Sequence, residues 1–324
     1  MSAQARFSAL LPVLKDQRRL LARLQQLTFD KSVPALPSPT ALAQFELGGQ
    51  LLGRGDSRGA VARYLKALDI APGFVQAYAT LGLGLGELGH RAAEMHCLRV
   101  ALRLNPSFWE AQMALGHAHA ALDQPGEAAA VYELATRLRP ELAEGWTRLA
   151  RMRLAQGETS AAVDALVEAV TRTSGAPELW LELGDSLRAA RRLEPALQAY
   201  LTALELRPDL VRAHDSAGCV LQDLGRLDEA ITHHEAALQT APDDVNALRN
   251  LGVALQTVGR FDEALRRYRQ ALGGAPQDAA ALSYLAAALT ECGRLREAHD
   301  AFASGLAITP ENDELHFNYS LLLL

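Results

Sequence analysis

The sequence predicts an all-α solenoid of short helix pairs, and three observations carry that prediction. Residue types return every 34 positions from residue 41 onward, each period holds two apolar stripes at helical spacing, and a proline closes most periods. The clearest copy is 177–208, PELWLELGDSLRAARRLEPALQAYLTALELRP. Trp180, Leu183, Gly184 and Leu187 stand at i, i+3, i+4 and i+7, one face of a 3.6-residue helix. Ala196, Tyr200 and Ala203 repeat that spacing beyond a break at Arg191–Arg192. Pro208 stops the second helix, because it has no N–H and its ring clashes with the preceding turn. Neither short helix can bury its stripe alone, so each unit needs neighbours.

The step of 34 supplies them. The Leu-Gly pair returns as Leu47-Gly48, Leu81-Gly82, Leu115-Gly116, Leu183-Gly184 and Leu251-Gly252. A small residue of the second helix returns as Ala60, Ala128, Ala162, Ala196, Ala230, Ala264 and Ala298. Four residues later stand Tyr64, Leu98, Tyr132, Leu166, Tyr200, His234, Tyr268 and Phe302. The closing proline returns as Pro72, Pro106, Pro140, Pro208, Pro242, Pro276 and Pro310. On these residues the chain resembles the tetratricopeptide repeat (TPR) family, whose signature is W-x2-L-G-x2-Y, then A-x3-F, then P. The resemblance implies a right-handed superhelix of antiparallel helix pairs, with eight repeats starting at 41, 75, 109, 143, 177, 211, 245 and 279. Four positions depart from the pattern: Glu94 replaces a small residue, with Ala93 beside it to serve after a local shift. Ser174 replaces the proline, His234 an aromatic and Gly305 an alanine.

In chain order, residues 1–27 read as a basic amphipathic segment. Phe7, Leu10, Leu11, Leu14, Leu20, Leu21, Leu24 and Leu27 oppose Arg6, Lys15, Arg18, Arg19 and Arg23. It is expected to cap the edge of the first repeat; docking on another protein, a membrane surface or a groove of this solenoid are the alternatives. Residues 28–40, with three prolines, read as a non-helical linker. Residues 41–312 are the repeats, and 313–324 are the first helix of a ninth.

The resemblance implies that first helices line a concave groove, where residues interleaved with the packing stripe are free to bind. In later repeats these are Arg212, Asp215, Gln222, Asn246, Arg249, Asn250, Gln256, Tyr284 and Asn318, a polar set suited to an extended peptide's backbone. In the early repeats they are Phe45, Leu83, Met113 and His117, an apolar set suited to an amphipathic helix. Two binding modes of the family can be tested on the sequence. The Lys/Asn carboxylate clamp of chaperone-tail binders meets Ala79 and Leu83, Met113 and His117, Thr147 and Arg151, so it is missing. The asparagine ladder of the O-GlcNAc transferase type meets Glu46, Thr80, Ala114, Arg148, Glu182, Ser216, Asn250, Tyr284 and Asn318, so only its last rungs remain.

Composition narrows the function classes. The net charge is −6, with 32 Lys and Arg against 38 Asp and Glu, and residues 1–40 hold six of the basic side chains and two of the acidic. Residues 41–324 are therefore acidic, a poor match for phosphate backbones, so no nucleic-acid partner is expected. Cys97, Cys219 and Cys292 show no paired spacing, and no run of 18 apolar residues occurs, which suggests a cytoplasmic protein. Gly84-Leu-Gly86-Glu-Leu-Gly89 matches a dinucleotide fingerprint but lies in a helical repeat with no strand before it. His117 and His119, two apart, point to different sides of a helix, as do the adjacent His233 and His234. No catalytic motif, metal or cofactor is expected. The final DELHFNYSLLLL ends in four leucines that offer apolar groups in every direction, which predicts a further helix beyond it. It resembles the last repeat of bacterial TPR proteins fused to glycosyltransferase-like or sulfotransferase domains.

The function these readings support is a peptide- or protein-binding scaffold without catalysis. The alternative is the substrate-recruiting arm of a larger protein-modifying enzyme. Self-association through the N-terminal helix is compatible with either.

Overall fold

A computed structural model of the chain describes residues 17–26, 37–173 and 175–323. Among them are eighteen helices and no strand. The chain forms two compact units, Met1–Arg172 and Thr173–Leu324.

In the first unit the helices are α1 (Gln17–Gln26), α2 (Pro39–Gly53), α3 (Ser57–Ile70), α4 (Val75–Glu87), α5 (Arg91–Leu104), α6 (Trp109–Ala120), α7 (Pro125–Leu138), α8 (Ala143–Ala155) and α9 (Thr159–Arg172). In the second they are α10 (Pro177–Ala189), α11 (Leu193–Leu206), α12 (Val211–Asp223), α13 (Leu227–Thr240), α14 (Val245–Thr257), α15 (Phe261–Gly274), α16 (Ala279–Glu291), α17 (Leu295–Ile308) and α18 (Asp313–Leu323). From α3 to α17 every second helix begins 34 residues after the last one, so the sequence period is the structural period. Neighbouring helices pair as α2–α3, α4–α5, α6–α7 and α8–α9 in the first unit, and α10–α11, α12–α13, α14–α15 and α16–α17 in the second.

Local chemistry sets the helix ends. Ser38 caps α2 by accepting from the Ala41 N–H at 3.3 Å, and Pro39 sits at the first turn, where its missing N–H costs nothing. The helix therefore starts two residues inside the expected linker, while residues 27–36 lie outside the described residues. Asp56, Asp244 and Asp278 cap α3, α14 and α16 in the same way. Between the two helices of each pair, one residue turns the chain with positive φ. It is glycine in six pairs, but Asp123 (54°) and Arg191 (58°) adopt that conformation in the other two.

A ring on a glycine builds the centre of most pairs. Tyr64 lies on Gly48, Tyr132 on Gly116, Tyr200 on Gly184 and Tyr268 on Gly252. His234 takes the same place against Gly218 and is 0 % exposed. These side chains join the alanines and leucines of the stripes in the cores of the two units. Glu94 needs no local shift: α5 keeps register, and both Ala93 and Glu94 are buried. Gly86 leaves the room for its carboxylate, which Arg91 pairs at 2.7 Å.

α1 does not cap the end of the first pair. It packs against α5, the second helix of the second pair, with Leu20 and Leu24 buried and Arg23 reaching Asp69 of α3 at 2.9 Å. Residues 4–16 of the expected N-terminal helix lie outside the described residues. Among the described residues no helix is long and apolar enough to cross a membrane.

Candidate functional site

Within the second unit the first helices of consecutive pairs meet side by side: α10 with α12, α12 with α14, α14 with α16, and α16 with α18. The stripe side chains Leu248, Leu251 and Leu255 are buried, so the interleaved positions form a shared face of these first helices. The sequence-predicted polar residues of α12 to α18 lie on that stretch, and their environments fall into two kinds.

Most of them bond to one another from helix to helix. Asn250 Nδ2 donates to both carboxylate oxygens of Asp215, at 3.0 and 3.1 Å, and lies 3.4 Å from Cys219 Sγ. His234 Nδ1 donates to Asp215 Oδ1 at 2.9 Å, and its Nε2 stands 3.3 Å from Gln222 Oε1. Gln222 donates to the Asn250 carbonyl at 3.3 Å. Arg249 pairs with Asp278 at 2.9 Å and donates to Asn246 Oδ1 at 2.9 Å. Gln256 accepts from the Tyr268 hydroxyl at 3.0 Å and donates to Glu291 at 2.8 Å.

Burial alone raises the Asp215 pKa, but hydrogen bonds from His234 and Asn250, with the charges of His234 and Arg249, outweigh it and hold the carboxyl below its usual range. Burial foremost, with the Asp215 charge, pushes the Cys219 thiol up to about 11. These residues act as struts between pairs. The expectation that Arg249, Asn250 and Gln256 stand free of packing is corrected accordingly. An aqueous face between closely spaced helices lets polar side chains reach the next helix, and half-buried polar groups take the partners within reach.

The rest remain open. Arg212 keeps 74 % of its side chain exposed beside Asp185, and Asn246 is exposed. Tyr284 is 40 % exposed and stacks on the buried Tyr268 ring, centroids 6.0 Å apart and planes 18° from parallel. Asn318 is half-buried, and beside it on α18 Phe317 is 63 % exposed.

In the first unit the apolar set separates. Leu83 is exposed, while Phe45 is half-buried between Tyr64 and Phe74, with centroids at 5.7 and 4.8 Å. His117 lies at the surface with its ring edge-on to Tyr132, and partial desolvation there, together with the Arg148 charge, lowers its pKa. Met113, expected on an open surface, is only 4 % exposed and packs in the interior. The glycine motif at 84–89 lies in α4 and the turn after it, with Gly84 and Gly86 buried.

Sequence reasoning missed the partners Asp185, Asp278, Glu291 and His234. The signal was present as polar pairs set about one repeat apart, such as Asp215 with Asn250, Arg249 with Asp278, and Gln256 with Glu291.

Four family models described as "Tetratricopeptide repeat" match residues 109–152, 147–210, 209–277 and 255–317. Comparison with curated proteins returned no match. Among solved structures, YrrB, titled a TPR protein with an unusual peptide-binding site, superposes with a TM-score of 0.52 at 22% identity, over 57% of this chain and 95% of its own. Cut9–Hcn1 of the APC/C gives 0.54 at 18% identity, over 95% of this chain and 64% of that one. The Pseudomonas aeruginosa pilF structure gives 0.54 at 18% identity, over 65% and 96%. At these identities the likeness is one of fold.

Proposed function

This chain belongs to the tetratricopeptide repeat family, and on that premise we propose that it is a protein-interaction scaffold that binds an extended segment of another protein along α12–α18. The observation that carries the reading is what remains exposed once the struts are bonded. Arg212, Asn246, Tyr284 and Phe317 offer a cation, an amide and two aromatic surfaces along consecutive first helices. An aromatic ring already fixed against another, as Tyr284 is on Tyr268, loses little freedom on binding and makes an efficient anchor. Side-chain amides can pair with a peptide's N–H and C=O together, which holds an extended chain with little regard for its sequence. YrrB, of the same fold, is titled for its peptide-binding site, and this lends the reading further support.

The test selects ligands for the purified chain from a displayed random-peptide library and measures the affinity of the best by calorimetry. Tyr284→Ala is expected to weaken binding by about tenfold or more, the usual cost of losing an aromatic anchor, with melting unchanged. An affinity that withstands Tyr284→Ala, Asn246→Ala and Phe317→Ala together would remove this face from consideration.

A further inference from the structure

We propose that Asp215, Cys219 and His234 form a binding site for a divalent transition-metal ion, zinc by the softness of its donors. Asp215 and Cys219 are four residues apart and share one face of α12, while His234 crosses from α13. One ligand atom from each side chain lies within 4.8 Å of the other two, the only such group of three among the described residues. Bonds of about 2.0–2.3 Å to one tetrahedral ion put its donors roughly 3.3–3.8 Å apart, so rotamer adjustments complete the closure. One sulfur, one imidazole nitrogen and one carboxylate oxygen suit zinc or cobalt and not magnesium or calcium, which take oxygen alone.

The repeat itself gives a second, independent reason. The three positions recur in every repeat, and in the adjacent pairs they do not bring three ligand types together. The preceding one holds Leu181, Asp185 and Tyr200, and the following one Arg249, Val253 and Tyr268. The sixth repeat holds a carboxylate, a thiol and an imidazole at the three positions together, and the imidazole takes the ring's place on Gly218. The surroundings suit ligation as well. Asn250 donates to the Asp215 carboxylate and approaches the Cys219 sulfur, which orients both donors. His234 is wholly buried, which fixes its ring, and Asp215 is mostly so, with 21 % of its side chain exposed. Binding through Nδ1 takes the neutral His234 in its Nε2–H form, with that hydrogen facing Gln222 Oε1. The Cys219 thiol proton leaves to solvent, so each ion taken up releases one proton.

The test titrates the full chain, reduced and metal-free, with Co2+ alone and follows the thiolate-to-cobalt charge-transfer band and the visible bands of tetrahedral cobalt. Wild type is expected to show both, saturating with one ion per chain and displaced by Zn2+. Cys219→Ser removes the charge-transfer band, and His234→Tyr, which restores the residue of the neighbouring repeats, removes tetrahedral binding with helicity intact. Asn250→Ala weakens binding about tenfold or more, as loss of an orienting hydrogen bond does. Cys292→Ser, at an exposed thiol elsewhere, leaves the spectrum unchanged. The proposal is overturned if folded, reduced wild type gives no charge-transfer band. It is equally overturned if the band survives Cys219→Ser or disappears with Cys292→Ser. If His234→Tyr does not fold, the cysteine pair alone decides.

Discussion

The ring of Tyr268 rests directly on Gly252: a Cβ added there would stand 2.4 Å from Tyr268 Cε1. That contact joins the two helices of a pair, α14 and α15, and the same relation recurs at Gly48, Gly116 and Gly184. It fixes the sign of a substitution that helix propensity alone would misjudge. Alanine in an exposed helix interior is better than glycine by about 1 kcal/mol. Forcing a methyl into this contact costs about 1–3 kcal/mol, because Tyr268 is fully buried and cannot yield. Gly252→Ala is therefore expected to lower the urea midpoint, a net loss of up to about 2 kcal/mol. Gly49→Ala, where no atom lies within 4 Å, should raise it. Equal shifts for the two variants would show that packing on glycine is not what joins the pairs.

The interhelix turn gives a second prediction. Residues 123 and 191 occupy the turn position that glycine holds in the other pairs, and both adopt the left-handed conformation. That region costs an L-residue about 1–2 kcal/mol, whereas glycine visits it freely at an unfolded-state entropy cost of about 0.5–1 kcal/mol. Arg191→Gly is thus expected to stabilise the second unit by about 0.5–1 kcal/mol, and Gly225→Ala to destabilise it by a similar amount, about 0.5–1 kcal/mol. Chemical denaturation of both variants measures the balance. A destabilising Arg191→Gly would mean that the arginine side chain contributes more than its backbone costs.

Why the fold was so legible and the site less so follows from the same residues. A 34-residue period repeats every packing contact, so Leu251, Gly252 and Tyr268 announce their partners through copies such as Leu183, Gly184 and Tyr200. The struts have no such copies. Asp215 with Asn250, or Arg249 with Asp278, join one repeat to the next through side chains that occur once, and helical spacing places them on a face without saying what they reach. Met113 shows the opposite failure, for the spacing puts it at an open position while the structure leaves it only 4 % exposed. Adjacent His233 and His234 both reach α12, at His214 and Asp215, and what brings His234 to Cys219 is the packing of α13 on α12.

Asn250 and Asp215 predict a pH-dependent effect. Asp215 is held below the ordinary carboxylate range, so the stability it contributes is present above about pH 4 and lost as pH falls through its folded value. Asn250→Ala removes the amide that makes two hydrogen bonds to that carboxylate, which raises its pKa and costs about 1–3 kcal/mol at neutral pH. Protonated Asp215 no longer needs those bonds, so the gap between variant and wild type should narrow below about pH 4. Denaturant unfolding at several pH values reads this directly. A gap that stays constant down to the acid limit would assign the loss to packing of Asn250 instead.

The docking of α1 yields the last prediction. Leu20 and Leu24 are buried in the core shared with the second helices α3 and α5, and Arg23 pairs with Asp69. The exposed ion pair contributes at most about 1 kcal/mol, so the two leucines dominate. Truncating a buried leucine to alanine costs about 2–5 kcal/mol, which is large for a ten-residue helix with one small contact area. Leu24→Ala is therefore expected to release α1 while the repeats stay folded, because their core continues through Leu65, Leu68 and Leu98 without it. Limited proteolysis should then cut within residues 17–26 many times faster, while Gln25→Ala, at an exposed position of the same helix, cuts at the wild-type rate. If the two variants are cleaved alike, α1 is held by something other than its leucines. If Leu24→Ala also unfolds the first unit, the helix is part of that unit's core and not an element added to its outside.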